Sequence, residues 1–492
     1  MQFDLLHVGP LVALAHILGI IAAGHAILNT RTSQGAIAWA VSLVSMPYLT
    51  LIPYLFLGRS KFAGYADARR VENELLRSRA YPQQWDSLAS SAGLPTQQLG
   101  TRPVQSLTRL GGMPFLPGNA VRTLVNGTAT FTAILDAIEH ARHYVIVQFF
   151  IVRNDALGEM LKDALIAKAR EGVRVYFLYD SIGSFDLPHR YVAALRAAGV
   201  AMHPFATNRR FVNRLQLNFR NHRKIVAVDG ERAFVGGHNV GVEYLGAKPP
   251  LSPWRDTHIE VRGPAVASIQ FVFVEDWYWA TQQLPDLELR DATAGDEPVE
   301  TSDTADAPAG NMHCLVLPSG PADKQETCSL YFVEAINAAR ERVWITTPYL
   351  VPDEAVFAAL RLAVLRGVDV RIMLPSRRDH LVVFAASKLY AYDSLRAGIR
   401  IFRYQPGFLH QKVVLIDGVA AAIGSANLDN RSFRLNFEIM VLTVDRGFAL
   451  EVETMLLNDF AASLEIDRDE YRKAAAWRRM LMHVARLFSP IL

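Results

Sequence analysis

His222-Arg223-Lys224 runs on through Ile225-Val226-Ala227-Val228 to Asp229-Gly230. The same arrangement returns as His410-Gln411-Lys412, Val413-Val414-Leu415-Ile416, Asp417-Gly418. In both stretches the aspartate lies five residues beyond the lysine. Gly236-Gly237 with Asn239, and Gly424-Ser425 with Asn427, then follow at matched distance. One such pattern is weak evidence. Two with the same downstream spacing describe a site built twice, from halves that face each other.

Residues i and i+2 of an extended strand project from one face, so each histidine and its lysine should point into one pocket. The apolar run stops at Asp-Gly, a dipeptide suited to a hairpin with positive φ. The returning strand should carry Gly237 or Ser425 and the asparagine back to the same place. Glycine there would let backbone amides approach a phosphate, with Lys224 and Lys412 as point charges and Asn239 and Asn427 as neutral donors. Asp229 and Asp417 stay open on sequence alone, because an aspartate before glycine is equally a turn former and a chemical group. No H-E-x-x-H or clustered cysteine set competes, and no metal or other cofactor is expected.

The repeat extends beyond the motifs. A helix over 131–138 followed by a strand at 145–148 matches 332–336 followed by 343–346. Arg170-Glu171-Gly172-Val173 matches Leu365-Arg366-Gly367-Val368, and Ala198-Gly199-Val200 matches Ala397-Gly398-Ile399. Strands alternating with helices that stop at glycine predict an α/β fold of two homologous lobes related by a pseudo-twofold, over 111–285 and 311–465, with the histidine strands central. Residues 286–310 are acidic and nearly free of large apolar side chains, which reads as a flexible linker.

Of the 492 residues 51% are hydrophobic, and the excess lies at the start. Residues 3–28 carry one formal charge, Asp4, and 36–57 carry none. Each is about long enough to cross a ~30 Å hydrocarbon core. A polar stretch, 29–35, joins them, which predicts a transmembrane helical hairpin over 3–57 and a connecting segment over 58–110. Arg59, Lys61, Arg69 and Arg70 follow the second span against Arg31 in the loop, so the lobes should lie in the cytoplasm. Two cysteines without CxxC spacing fit a reducing compartment. The net charge is only +3, but Arg209, Arg210, Arg214, Arg220, Arg223 and Lys224 crowd the approach to the first motif, as an electrostatic funnel for an anionic substrate would. At the end, 466–492, Trp477, Met480, Leu481, Val484, Leu487 and Phe488 recur at helical spacing opposite Arg478, Arg479, His483 and Arg486. That basic amphipathic helix suits an anionic leaflet and suits docking on the lobes equally.

The paired H-x-K-x4-D motifs resemble the phospholipase D superfamily over most of the chain. Two N-terminal spans, Asp276-Trp277-Tyr278-Trp279, Asn427-Leu428-Asp429-Asn430-Arg431-Ser432 and Phe488-Ser489-Pro490-Ile491-Leu492 narrow the likeness to its bacterial cardiolipin synthases. The resemblance implies a metal-free phosphatidyl transfer between two phosphatidylglycerol molecules at the bacterial inner membrane, with no nucleic-acid partner. A hydrolytic phospholipase D or a phosphatidylserine synthase-type transferase is the alternative, since the outcome depends on which alcohol arrives. It further implies that His222 attacks phosphorus and His410 serves as acid and base. Each histidine would pair with a carboxylate further along its own lobe, Asp256 at 34 residues and Glu438 at 28. The resemblance expects serine where Gly237 stands, which removes one hydroxyl donor.

Overall fold

The computed structural model describes residues 5–30, 33–58, 94–205, 218–287 and 310–492. Arg31, the cluster from Arg59 to Arg70, Arg209, Arg210, Arg214 and nearly all of the acidic linker lie outside them.

Both lobes join one 16-stranded sheet. From its middle outward the first lobe runs Leu116–Val125, Thr257–Arg262, Arg232–Gly236, Ile225–Val228, Tyr144–Phe149, Arg174–Asp180 and Ala201–Phe205. On the other side the second runs Met312–Ser319, Asn436–Val444, Ala420–Gly424, Val413–Ile416, Arg342–Thr346, Asp369–Pro375 and Arg400–Tyr404, with Ser463–Glu465 beyond. The two orders are the same, and the first strand of each lobe pairs antiparallel with the first strand of the other. A pseudo-twofold therefore passes through the middle of the sheet, and the motif strands occupy its interior rather than its edges.

The motif strands and the long strand of the second lobe are buried along their whole length. Ile225–Val228, Val413–Ile416 and Asn436–Val444 have no partly exposed residue, as expected where helices cover both faces. Helices Ala156–Arg170 and Glu354–Leu365 both stop just before a glycine with positive φ, Gly172 at 90° and Gly367 at 84°. Only glycine takes that conformation without strain, so the matched glycines set the matched strand entries.

The N-terminal segment departs from expectation. Leu5–Asn29 is one helix, and Gly9–Asn29 within it is apolar and long enough to cross a membrane. The second expected span, 36–57, is two shorter helices, Ser33–Ser45 and Pro47–Leu57. Met46, at φ −138° and ψ 57°, breaks them. The residue before a proline is disfavoured in helical geometry, and Pro47 has no N–H to continue the ladder. Gly19 faces the break, and a Cβ there would lie 2.3 Å from Leu43 O. The two arms pack around Ala23, Ala26, Leu43 and Tyr54.

The C-terminal helix Ala476–Arg486 docks on the second lobe by one face and leaves apolar side chains exposed on another. Met482 and Ala485 are buried, and Arg486 pairs with Asp393 at 2.8 Å on the helix Leu381–Arg396. Trp477, Met480 and Leu487 stay 65–78% exposed.

Candidate active site

Each motif segment crosses to the other lobe. Arg220–Asn221 adds in parallel to Asn436–Phe437, and Phe408–Leu409 adds in parallel to Trp254–Arg255. His222 N donates to Phe437 O at 3.0 Å, and His410 N donates to Arg255 O at 2.8 Å. Histidine and lysine thus sit immediately before their strands rather than within them.

This exchange decides the carboxylate partners. His222 Nδ1 meets Glu438 at 3.0 and 3.1 Å, and His410 Nδ1 meets Asp256 at 2.7 Å. The pairing within each lobe implied by the 34- and 28-residue spacings is incorrect; the pairs are crosswise. Glu438 also accepts from Ser425 Oγ at 2.5 Å, Ser432 Oγ at 2.8 Å and Asn436 Nδ2 at 3.0 Å.

Burial works against both carboxylate charges but loses. The facing His222, with Lys224 and Ser425, holds Glu438 below its ordinary range. His238, His410 and Lys412 do the same for Asp256, more strongly. Burial pushes both imidazoles down to about 4, for His222 against the pull of Glu438, and for His410 with help from the adjacent Lys412. An ionised carboxylate only accepts, so each neutral imidazole carries its proton on Nδ1 and keeps a lone pair on Nε2. Two activated nitrogens result, one from each half.

Lys224 and Lys412 are buried beside the histidines they follow. Their ammonium groups donate to His222 O and His410 O. Burial lowers both lysines, Lys412 to about 8, while Asp256 and Glu438 pull that one back up.

Asp229 and Asp417 are turn formers. Asp229, at φ 53°, accepts from the amides of Arg142, His143 and Tyr144 at 2.7–2.8 Å. Asp417, at φ 50°, does the same for Arg340, Glu341 and Arg342 at 2.9–3.2 Å. They tie each hairpin to the neighbouring strand's entry and do not line the cavity. Of the two roles open to them on sequence, they fill that of the turn former.

Gly237 and Ser425 present no free amide to a phosphate, since their N–H groups donate to Thr257 O and Ile439 O. Their difference has another cause. A Cβ at Gly237 would lie 2.0 Å from Asp256 Oδ1, so the carboxylate fills the space a serine would need. In the other half the equivalent serine donates to Glu438 instead.

His222 and His410 line one cavity of about 590 Å³, together with Asn239 and Asn427. Asn239 accepts from Ile151 N at 3.1 Å and donates to Tyr244 Oη at 3.2 Å. Asn427 donates to Asp429 at 3.1 Å. Of the basic cluster, Arg220 reaches the cavity, whereas Arg223 turns away to pair with Asp276 at 2.8 Å and anchors its segment. Gln411 plays the same part on Asp459, at 2.9 Å.

Sequence reasoning missed Phe150 and Trp254, whose rings stand 5.1 Å from His222 and His410 respectively. The only signal was Trp254 two residues before Asp256. Also missed was a buried pair, His238 and His258, with Nδ1 atoms 3.0 Å apart and both held below the ordinary value by burial. Among the described residues no group of three or more His, Cys, Asp or Glu could hold a metal ion.

Comparison with known proteins agrees with this geometry. The family described as "Cardiolipin synthase, PLD-like domain" matches residues 134–248 and 332–460, one block around each motif, and "Phospholipase_D-nuclease N-terminal" matches 17–59. Cardiolipin synthase A of Pseudomonas aeruginosa (strain LESB58) is 59% identical over 99% of this chain and 96% of its own length. Cardiolipin synthase A of Pseudomonas fluorescens (strain SBW25) is 56% identical over 98% of each. Among solved structures, phosphatidylserine synthase of Haemophilus influenzae Rd KW20 shares the fold, with a TM-score of 0.60 at 14% identity over 80% of this chain and 100% of that one. The chain belongs to the phospholipase D-like family of cardiolipin synthases.

Proposed function

We propose that the site transfers a phosphatidyl group from one phosphatidylglycerol to a headgroup hydroxyl of another, giving cardiolipin and glycerol. One imidazole Nε2 attacks phosphorus. The P–O bond to glycerol breaks, and the other imidazole supplies the proton that glycerol takes. The acceptor hydroxyl then attacks the phosphohistidine, its proton returns to that second imidazole, and the P–N bond breaks. Splitting one displacement into two lets each proceed with a positioned acid or base. Lys224 and Lys412, with the remaining amide hydrogens of Asn239 and Asn427, stabilise charge on the nonbridging oxygens. The family resemblance gives His222 the attacking role, and a trapped phosphohistidine peptide decides it.

The observation that carries this reading is the crosswise pair of His–carboxylate couples in one cavity. An imidazole that must attack and one that must exchange a proton both need Nδ1 fixed and Nε2 presented. The anionic phosphodiester seated between them favours the cationic form of whichever imidazole acts as acid.

The apolar helix Gly9–Asn29 supports membrane anchoring. A two-arm transmembrane hairpin with cytoplasmic lobes is the arrangement proposed for it, and the exposed Trp477, Met480 and Leu487 beside Arg478 and Arg479 suit the same surface. Purified protein in phosphatidylglycerol vesicles should release glycerol and cardiolipin in equal amounts, with chelators present. Glycerol with phosphatidic acid and no cardiolipin would identify a hydrolase and overturn the proposal.

A further inference from the structure

The cavity is not symmetric about the pseudo-twofold. The pseudo-twofold equates position 220 with 408, each two residues before its histidine, and 431 with 243, each four residues after its asparagine. The first of each pair is Arg220 and Arg431; their counterparts are Phe408 and Glu243. Arg220, Arg431 and Glu243 all line the cavity. One end therefore carries two guanidinium groups, from opposite lobes, with Asp429 beside Arg431; at the counterpart positions stand a ring buried outside the cavity lining and a carboxylate. Glu243 is in addition paired with Arg153 at 3.4 Å, and Lys248 lines the cavity as well.

We propose that Arg220 and Arg431 hold the phosphodiester of the acceptor lipid, a second phosphate site distinct from the one between the imidazoles. This rests on the phosphatidylglycerol transfer proposed above and names how its second substrate is recognised. Water and free glycerol carry no phosphate. An acceptor phosphatidylglycerol brings one, three carbons from its terminal hydroxyl, and needs a cation beyond Lys224 and Lys412. Guanidinium is the group suited to a phosphate at a partly dry site.

Two further observations point to a ligand at this end. Asn427 and Asn436 line the same cavity, are 5% and 4% exposed, and each has an amide oxygen without a hydrogen-bond partner. Buried acceptors are normally satisfied, and the hydroxyls of a glycerol headgroup are donors of the right kind. Arg431 donates to Asn218 O at 3.2 Å and Arg220 donates to Phe219 O at 2.6 Å, so backbone carbonyls fix both side chains. Burial lowers the pKa of Arg220, and the charge of Arg431 lowers it further. An anion between the two would relieve that repulsion. Asp180 pulls Arg220 back up by more than Arg431 lowers it, and both its oxygens already accept amides, from Ile182, Gly183 and Asn221.

The test compares two reactions of one covalent intermediate in phosphatidylglycerol vesicles containing labelled glycerol. Exchange of label into phosphatidylglycerol needs only the donor phosphate site; cardiolipin formation needs the second site as well. Arg431→Gln should lower the ratio of cardiolipin to exchange by about tenfold or more, with Arg431→Lys between it and the unsubstituted protein. Arg220→Lys should move the ratio the same way. An unchanged ratio would overturn the proposal, whether both reactions persist or both fall together, because either result makes the arginines structural or donor-binding. Absence of exchange in the unsubstituted protein would instead sink the transfer reading itself.

Discussion

Glu438→Gln isolates the crosswise pairing. The carboxylate accepts from His222, Ser425, Ser432 and Asn436 through two oxygens. Glutamine keeps one acceptor, which Ser432 and Asn436 can retain, and turns an amide N–H toward Ser425 and His222. His222 Nδ1 must then accept rather than donate, which moves the ring proton to Nε2 and removes the lone pair presented to the cavity. Losing one charge-assisted hydrogen bond costs about 1.5–3 kcal/mol, or roughly 10- to 150-fold in rate. The wrong tautomer adds to this, and a comparable change in a serine-protease triad costs ~10⁴. We expect kcat for cardiolipin to fall by about 10² to 10⁴ with little change in KM. Nitrogen-15 NMR of labelled histidine should show His222, and not His410, exchanging its tautomer. A loss below tenfold, or a response at His410 instead, would refute the pairing and the role drawn from it.

Asp229→Asn should lower stability by about 1–3 kcal/mol, since three amides lose a charged acceptor, while turnover per folded molecule stays nearly unchanged. Urea unfolding followed by activity on the folded fraction checks this, and a folded but inactive variant would restore the chemical reading. Gly237→Ala should fold yet lose most activity, because its Cβ displaces Asp256 from His410; full activity would show that the carboxylate has room to move. The third concerns acid. Buried His238 titrates near 4 in the folded chain against 6.5 ordinarily, so between those values only the unfolded state takes the proton, and stability falls as pH falls. His258 shifts the same way. Replacing the pair as His238→Ala with His258→Met, the residues at the equivalent positions 426 and 440, should flatten the loss of thermal midpoint between pH 6.5 and 5. An identical slope would contradict the assignment.

The sequence made the doubled site legible because the histidine, lysine and asparagine spacings are local properties of a segment and its hairpin. The matched glycines, Gly172 and Gly367, made the layered α/β halves legible for the same reason. The carboxylate partners were not legible. Spacing along the chain favours Asp256 for His222, whereas the true partner follows from Arg220–Asn221 pairing with a strand of the other lobe, and nothing local encodes that. Asp417 looked ambiguous because a turn former and a catalytic acid present the same letter; only the three amides around it separate them. The break at Met46 was readable from Pro47, but uniform hydrophobicity across 36–57 hid it.

The exchange of motif segments across the seam has a consequence for redundancy. Duplication ordinarily leaves a spare copy that can decay without loss. Here each copy supplies a histidine and the carboxylate that meets the other copy's histidine, so no half holds a complete pair. In the proposed reaction, damage to either carboxylate would disarm the histidine contributed by the opposite half, and neither copy could be lost alone. The same interlock leaves other positions free to diverge, because a pocket shared by both halves needs only one lipid-reading face. An arginine at one site and a phenylalanine at its counterpart are what such freedom would leave behind.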